Sequence, residues 1–340
     1  MTHVPPCPRL LPRRLAPLAL AVLGLVASCV PPVRRDPGPV GRPEAVSLFG
    51  QPLYPPELPL ETRQRYEQQL AEARAAYEAN PNDADAIIWL GRRLAYLGRY
   101  REAIQVFSEG IKKHPSDARM YRHRGHRWIT LRKFDRAVKD LRTAVRLTRN
   151  RPDQVEPDGL PNAQNVPLTT LQGNIWYHLG LAYYLRGEFA RAASAFREDL
   201  RLAKNDDNTV AASDWLYMSL RRLGRDEEAR QVLAPIRRDM NIIENQSYHR
   251  RLLMYRGELP PDSLLDANGR ASLDVATQGY GVGNWYLVNG RVQDAEEVFW
   301  RVTSAENWAP FGYIAAEADL RRLTRDAARR NGQRAASRLQ

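Results

Sequence analysis

From about residue 61 onward, apolar residues recur every three to four positions, in stretches separated by short polar breaks that carry Gly, Asn or Pro. That spacing puts the apolar side chains on one helix face and the charged ones opposite. Laid on itself, the chain repeats with a period of 34 over residues 84–117, 118–151, 173–206, 210–243 and 276–309. The eighth position of these units reads Gly91, Gly125, Gly180, Tyr217 and Gly283, and the twentieth reads Ala103, Ala137, Ala192, Ala229 and Ala295. The eleventh reads Leu94, Trp128, Tyr183, Leu220 and Tyr286, and the twenty-fourth Phe107, Leu141, Phe196, Leu233 and Phe299. Average alanine usage does not produce such agreement. Each unit is therefore predicted to be a pair of antiparallel helices. Small residues let the backbones approach, and large ones fill the space between units. Neither helix buries its apolar face alone, so the units must stack.

The remaining segments fit around these units. Residues 61–79 read as an amphipathic capping helix that runs into Asn80-Pro81-Asn82-Asp83. Residues 244–275 read as a degenerate unit, and 310–323 as a closing helix with Ile314, Ala315, Ala318 and Leu320 facing inward. Beyond it, 324–340 is an Arg- and Ala-rich stretch expected to fray. An insertion at 152–172 holds four prolines and separates the second and third units. A connection of that length either folds over the rim of the solenoid or is a loose connector. Gly279-Tyr280-Gly281-Val282-Gly283 has the look of a nucleotide loop, but no strand precedes it and the last glycine of that motif is missing.

The period and the glycine and alanine positions resemble the tetratricopeptide repeat. The fold class implied is all-α: a right-handed superhelix, or α-solenoid, of about five to six helix-turn-helix repeats with capping helices. In that family the first helix of each pair lines a concave protein-binding groove. Carried onto this sequence, the groove residues are Arg92, Tyr96, Arg119, Arg122, His126, Tyr177 and Tyr184. Arginine and tyrosine are enriched where binding energy concentrates, and guanidinium forks grip carboxylates in bidentate fashion. The expected ligand is thus an extended segment or C-terminus with acidic and apolar residues. The carboxylate clamp of the chaperone-binding members is absent, since Ile88 and Arg92 stand in place of its Lys and Asn.

Charge sharpens this picture. Lys plus Arg number 51 against 39 Asp plus Glu, a net +12. Residues 118–151 hold twelve Lys or Arg against Asp135 and Asp140, some of them on a solvated outer face. His123 and His126 have metal-binding spacing, but Arg122, Arg124 and Arg127 oppose a cation and no third ligand is evident. No metal, cofactor or nucleic acid is expected. No Ser-His-Asp or Cys-His arrangement stands out, so the reading is of a non-enzymatic protein.

The first 28 residues read as a processing signal. Arg9, Arg13 and Arg14 precede an apolar run too short for a mature membrane span, which ends in Val26-Ala27-Ser28-Cys29. This ending resembles a lipobox, which implies that Cys29 is lipidated and becomes the first residue of the mature chain. Cys7 and Cys29 are the only two cysteines, so the body has no disulfide. Residues 29–60, with nine prolines from Pro31 to Pro59, read as an extended tether, in which Leu53 and Tyr54 are the residues able to pack on the first helix.

Lipobox, tether and repeats together resemble the NlpI-type lipoproteins of the bacterial envelope, most closely from Asp214-Trp215-Leu216-Tyr217 through Gly283-Asn284-Trp285-Tyr286 to Phe299. That resemblance implies a dimeric adaptor at the outer membrane, facing the periplasm, that presents cell-wall hydrolases to a protease. Two other functions stay open: an assembly factor for pili or outer-membrane proteins, and a binder of anionic envelope glycan or lipid.

Overall fold

The computed structural model describes residues 41–265 and 272–337. The signal peptide, Cys29 and the first part of the tether lie outside the described residues. From α1 to α14 the chain is a succession of helix pairs with a cap at each end. A capping helix, α1 (Leu60–Ala79), leads into α2 (Ala84–Tyr96) and α3 (Tyr100–Lys113), then α4 (Ala118–Thr130) and α5 (Phe134–Thr148). The insertion intervenes before α6 (Leu171–Arg186) and α7 (Phe189–Leu202), followed by α8 (Asp206–Arg222) and α9 (Asp226–Leu233). The degenerate unit is α10 (Gln246–Tyr255) with the single turn α11 (Asp262–Leu265). The last pair is α12 (Ser272–Val288) and α13 (Val292–Thr303), closed by α14 (Phe311–Ser337).

Local chemistry explains where the helices begin and end. The first helices of the four leading units are capped by Asp83, Asp117, Thr170 and Asn205, whose side chains accept hydrogen bonds from first-turn amides. The turn between the helices of a pair passes through the left-handed region at Gly98, Gly187, Gly224, Gly257 and Gly290. The second unit breaks that rule: Arg132 sits there with φ 58°. A non-glycine residue in this conformation costs about 1–2 kcal/mol. Its side chain supplies the offset. Arg132 Nε pairs with Glu317 Oε2 at 2.9 Å, and its terminal nitrogens donate to the carbonyls of Thr130 (2.6 Å) and Trp308 (3.0 Å). The guanidinium also lies over the Trp308 ring.

The repeat positions pack as small against large. All five alanines at the twentieth position are fully buried. A Cβ added at Gly91, Gly125, Gly180 or Gly283 would meet Phe107, Leu141, Phe196 or Phe299 at 2.5–2.7 Å. The twenty-fourth side chain therefore covers the glycine of its own unit, rather than only filling space between units. The 279–283 glycines lie inside α12, where Gly281 gives room to the buried Arg251 side chain, so no nucleotide loop forms there.

Two boundaries are corrected. Residues 41–59 are not a free tether: β1 (Ala45–Val46) pairs antiparallel with β2 (Pro52–Leu53), and Ala45 and Leu53 enter the main core. The backbone of Leu48 donates to Glu317 Oε1, and Trp308 Nε1 donates to the Tyr54 carbonyl, so the N-terminal segment is stapled to the last helix and the turn before it. Proline blocks helix formation here but not packing. Nor does the closing helix fray at 323, since α14 runs on to Ser337.

Candidate functional site

The inner wall of the solenoid is already occupied. Across α2, α4 and α6 lies the insertion, pinned at its base by an isolated bridge between Val155 and Thr170. Its Glu156 is buried, pairs with Arg122 at 3.1 Å, accepts from the Asn174 amide at 3.2 Å and lies 3.7 Å from the His123 ring. Arg92 donates to the Pro157 carbonyl and Arg93 to that of Gly159, both at 2.8 Å. At Gly159 the fit is so close that a Cβ would stand 1.7 Å from the Tyr96 hydroxyl. Farther on, Asn162 donates to Glu244, and Asn205 donates to the Leu168 carbonyl. The insertion is thus an ordered cover, and an acidic, proline-rich one.

α14 fills the other part of the wall. Arg222 and Arg322 both pair with Asp319, which also accepts from the Tyr280 hydroxyl at 2.9 Å. Burial alone would raise the Asp319 carboxyl, but the two guanidiniums hold it below the ordinary carboxylate range. Phe311, at the start of α14, contacts His126, Tyr177 and His178.

These contacts fill the groove expected from the sequence, and of the two courses open to the insertion it folds over the wall. Of its seven residues, Arg92, Tyr96 and Arg122 gather around the insertion. His126 is packed against His178 and Phe311. Tyr177 shares its hydroxyl with Tyr248 (2.8 Å) and the Trp215 indole (3.1 Å). Tyr184 is fully buried and bonded to Asn284 and Tyr280. Arg119 stands apart, paired with Asp85 and Asp117. The family's groove positions did not show what lies on this wall. Burial and the neighbouring arginines push His123, His126 and His178 well below the ordinary imidazole range, so all three are neutral. Among the described residues no group of three or more His, Cys, Asp or Glu is placed to hold a metal ion.

An arginine and aromatic surface remains open on the other side. A cleft of about 980 Å³ runs between the end of α5 and helices α6 and α7. Its floor is Val145, Trp176, Leu179 and Tyr183; Arg142, Arg146, Arg149, Arg191 and Arg201 stand at its sides, with Glu198 as the single acid. Trp176, partly buried against the main core, also lines this outer cleft. Arg191 and Arg201 carry local partners in Glu188 and Glu198. Arg142 and Arg149 are exposed. The twelve basic residues of unit 118–151 hinted at this surface, but only the fold shows that three of them share a cleft with aromatics from the next unit.

Comparison with known proteins matches parts of the chain to a repeat family. Two family models of the tetratricopeptide repeat match the chain, at residues 84–126 and 173–206. Over 141 residues the chain is 23% identical to the BBSome complex member BBS4 of Bos taurus, covering 42% of this chain and 23% of that protein. The chain thus matches less than a quarter of the length of this curated relative. Among solved structures, YrrB, described as a TPR protein with an unusual peptide-binding site, is similar at 16% identity over 73% of this chain and 97% of its own, with a TM-score of 0.40. PilF of Pseudomonas aeruginosa is similar at 16% identity over 72% and 86%, with a TM-score of 0.42. MamA is similar at 14% identity over 60% and 99%, with a TM-score of 0.40.

Proposed function

We propose that this chain, which carries tetratricopeptide repeats, is a non-enzymatic scaffold that holds an acidic segment of a partner protein in its outer cleft, while lipid on Cys29 keeps it at a bacterial cell envelope. One observation carries the binding part of this reading. The inner wall is filled by the chain's own insertion and last helix, whereas the outer cleft is open, aromatic-floored and lined by five arginines against one acid. Docking on the inner wall would first strip Glu156 from buried Arg122, which costs about 3–5 kcal/mol. The outer cleft asks for no such displacement. Guanidinium forks on its sides match carboxylates, and Trp176 and Tyr183 supply rigid apolar area.

The envelope part rests on Val26-Ala27-Ser28-Cys29 and on the resemblance to NlpI-type lipoproteins. In that setting the partner is a periplasmic protease or a cell-wall hydrolase, and the membrane is the outer one. A photo-crosslinking residue at the exposed Ser194, in the native lipoprotein, tests the reading in cells. We expect attachment to a small set of proteins at their acidic segments, competed by poly-glutamate and lost when Arg142, Arg146 and Arg191 become alanine. Attachment that survives the triple substitution overturns the cleft as the binding surface. Crosslinks to pilus or outer-membrane-protein precursors would make the chain an assembly factor, and capture of anionic glycan or lipid alone would exclude the scaffold role.

A further inference from the structure

A second cavity lies at the opposite edge of the third unit, at the first turns of α6 and α12 and the last turn of α7. It measures about 300 Å³, and its walls include Tyr177, Asp199, Asn208, Glu244, Tyr248 and Asp274. No Lys, Arg or His is among the described residues that line it, in a chain of net charge +12. Two of its acids are engaged: Asp274 accepts from the Ser247 hydroxyl at 2.6 Å and Glu244 from the Asn162 amide at 2.7 Å. Asp199 is only 7% exposed and has no hydrogen bond or ion pair among the described residues.

The repeat itself makes Asp199 anomalous. It is the twenty-seventh residue of its unit, and the other units carry Gly110, Ala144, Ile236 and Val302 at that position, all buried. Packing therefore calls for a small or apolar side chain. An unpaired buried carboxyl is unfavourable unless a donor arrives from elsewhere. It lines the cavity, whose walls add Tyr177, Tyr248 and Phe311. Carboxylate and aromatic faces together, with no competing cation, are the surroundings that select a positively charged organic head.

We infer that this cavity binds an organic cation, an ammonium or guanidinium head on an aliphatic arm, whose charge pairs with Asp199. Burial holds the Asp199 carboxyl well above the ordinary carboxylate range. The groups facing it are Tyr177 of α6, Tyr248 of α10, Asp274 of α12 and Glu244 before α10, none of which brings a positive charge. The head belongs either to a free amine or to a basic side chain of a polypeptide.

Calorimetric titration of the full chain with agmatine, n-butylammonium and the blocked peptide acetyl-Gly-Arg-Gly-amide tests this. Binding is expected for at least one probe, weakened about thirtyfold or more in Asp199→Asn, which keeps the shape of the neutral acid. Tighter binding of the peptide identifies a polypeptide as the source, and tighter binding of agmatine or butylammonium a free amine. Asp199→Ala, the residue of the second unit at this position, serves as the second variant, and the melting temperature of each shows that the fold is kept. No heat from any probe at millimolar concentration, or equal affinity in the variants, overturns the inference.

Discussion

The inner wall and the outer cleft use the same residue, arginine, in opposite states. Inside, Arg92, Arg93, Arg122, Arg132, Arg222 and Arg322 are each bound to an acid or a carbonyl of the chain. Outside, Arg142, Arg146 and Arg149 face solvent along the cleft. A buried guanidinium left without a partner is strongly unfavourable, so inner arginines are fixed by folding. An exposed one adds little to stability and stays available to a partner. The same side chain is structural on one face and a recognition element on the other, and only its surroundings decide which.

Substitutions should therefore separate the two faces. The largest effect is expected for Glu156→Ala, which strands the buried Arg122 charge and should cost about 3–5 kcal/mol in denaturant unfolding. A loss under about 1 kcal/mol would mean that the insertion is not held as described. Next, Gly180→Ala places a methyl group 2.7 Å from the Phe196 ring and should cost about 1–3 kcal/mol by overpacking. Its partial recovery in Gly180→Ala/Phe196→Leu would confirm that ring as the obstacle.

A smaller effect, of opposite sign, is expected at Asp199. Its folded pKa is raised, so the folded state holds the proton more tightly than the unfolded chain. Its contribution is greatest below the unfolded carboxylate range and falls as pH rises through that range toward the folded pKa. Asp199→Asn should thus melt higher than the parent at pH 7, with the difference closing below about pH 4. A constant difference across that window would contradict the assignment. The smallest effect on stability belongs to the outer face. Arg142→Ala/Arg146→Ala/Arg191→Ala should shift unfolding by only a few tenths of a kcal/mol per site. The same variant should lose binding of an acidic peptide.

The repeat was readable because its causes are local and periodic. Gly91, Gly125, Gly180 and Gly283 recur because a large side chain must fit above each, and the caps Asp83 and Asp117 stand one period apart for the same reason. What the sequence hid depends on contacts between distant segments. In the Pro-rich residues 41–59 Leu53 was legible only as able to pack, and Ala45 not at all, because two buried side chains set no period. Nothing in the spacing of 152–172 announced that Glu156 would pair with Arg122. Asp199 was discoverable: compared down the twenty-seventh position, it is the one acid among small and apolar residues.

Arg132 has a consequence for how the protein comes apart. Open solenoids unravel from their ends, because each repeat feels only its neighbours. Here the strained turn of the second unit is relieved by Glu317 and Trp308, more than 170 positions downstream. Loss of the final helix would return that conformational debt to a unit near the opposite terminus. The two extremities should therefore melt together, giving one concerted transition where a simple stack would fray stepwise.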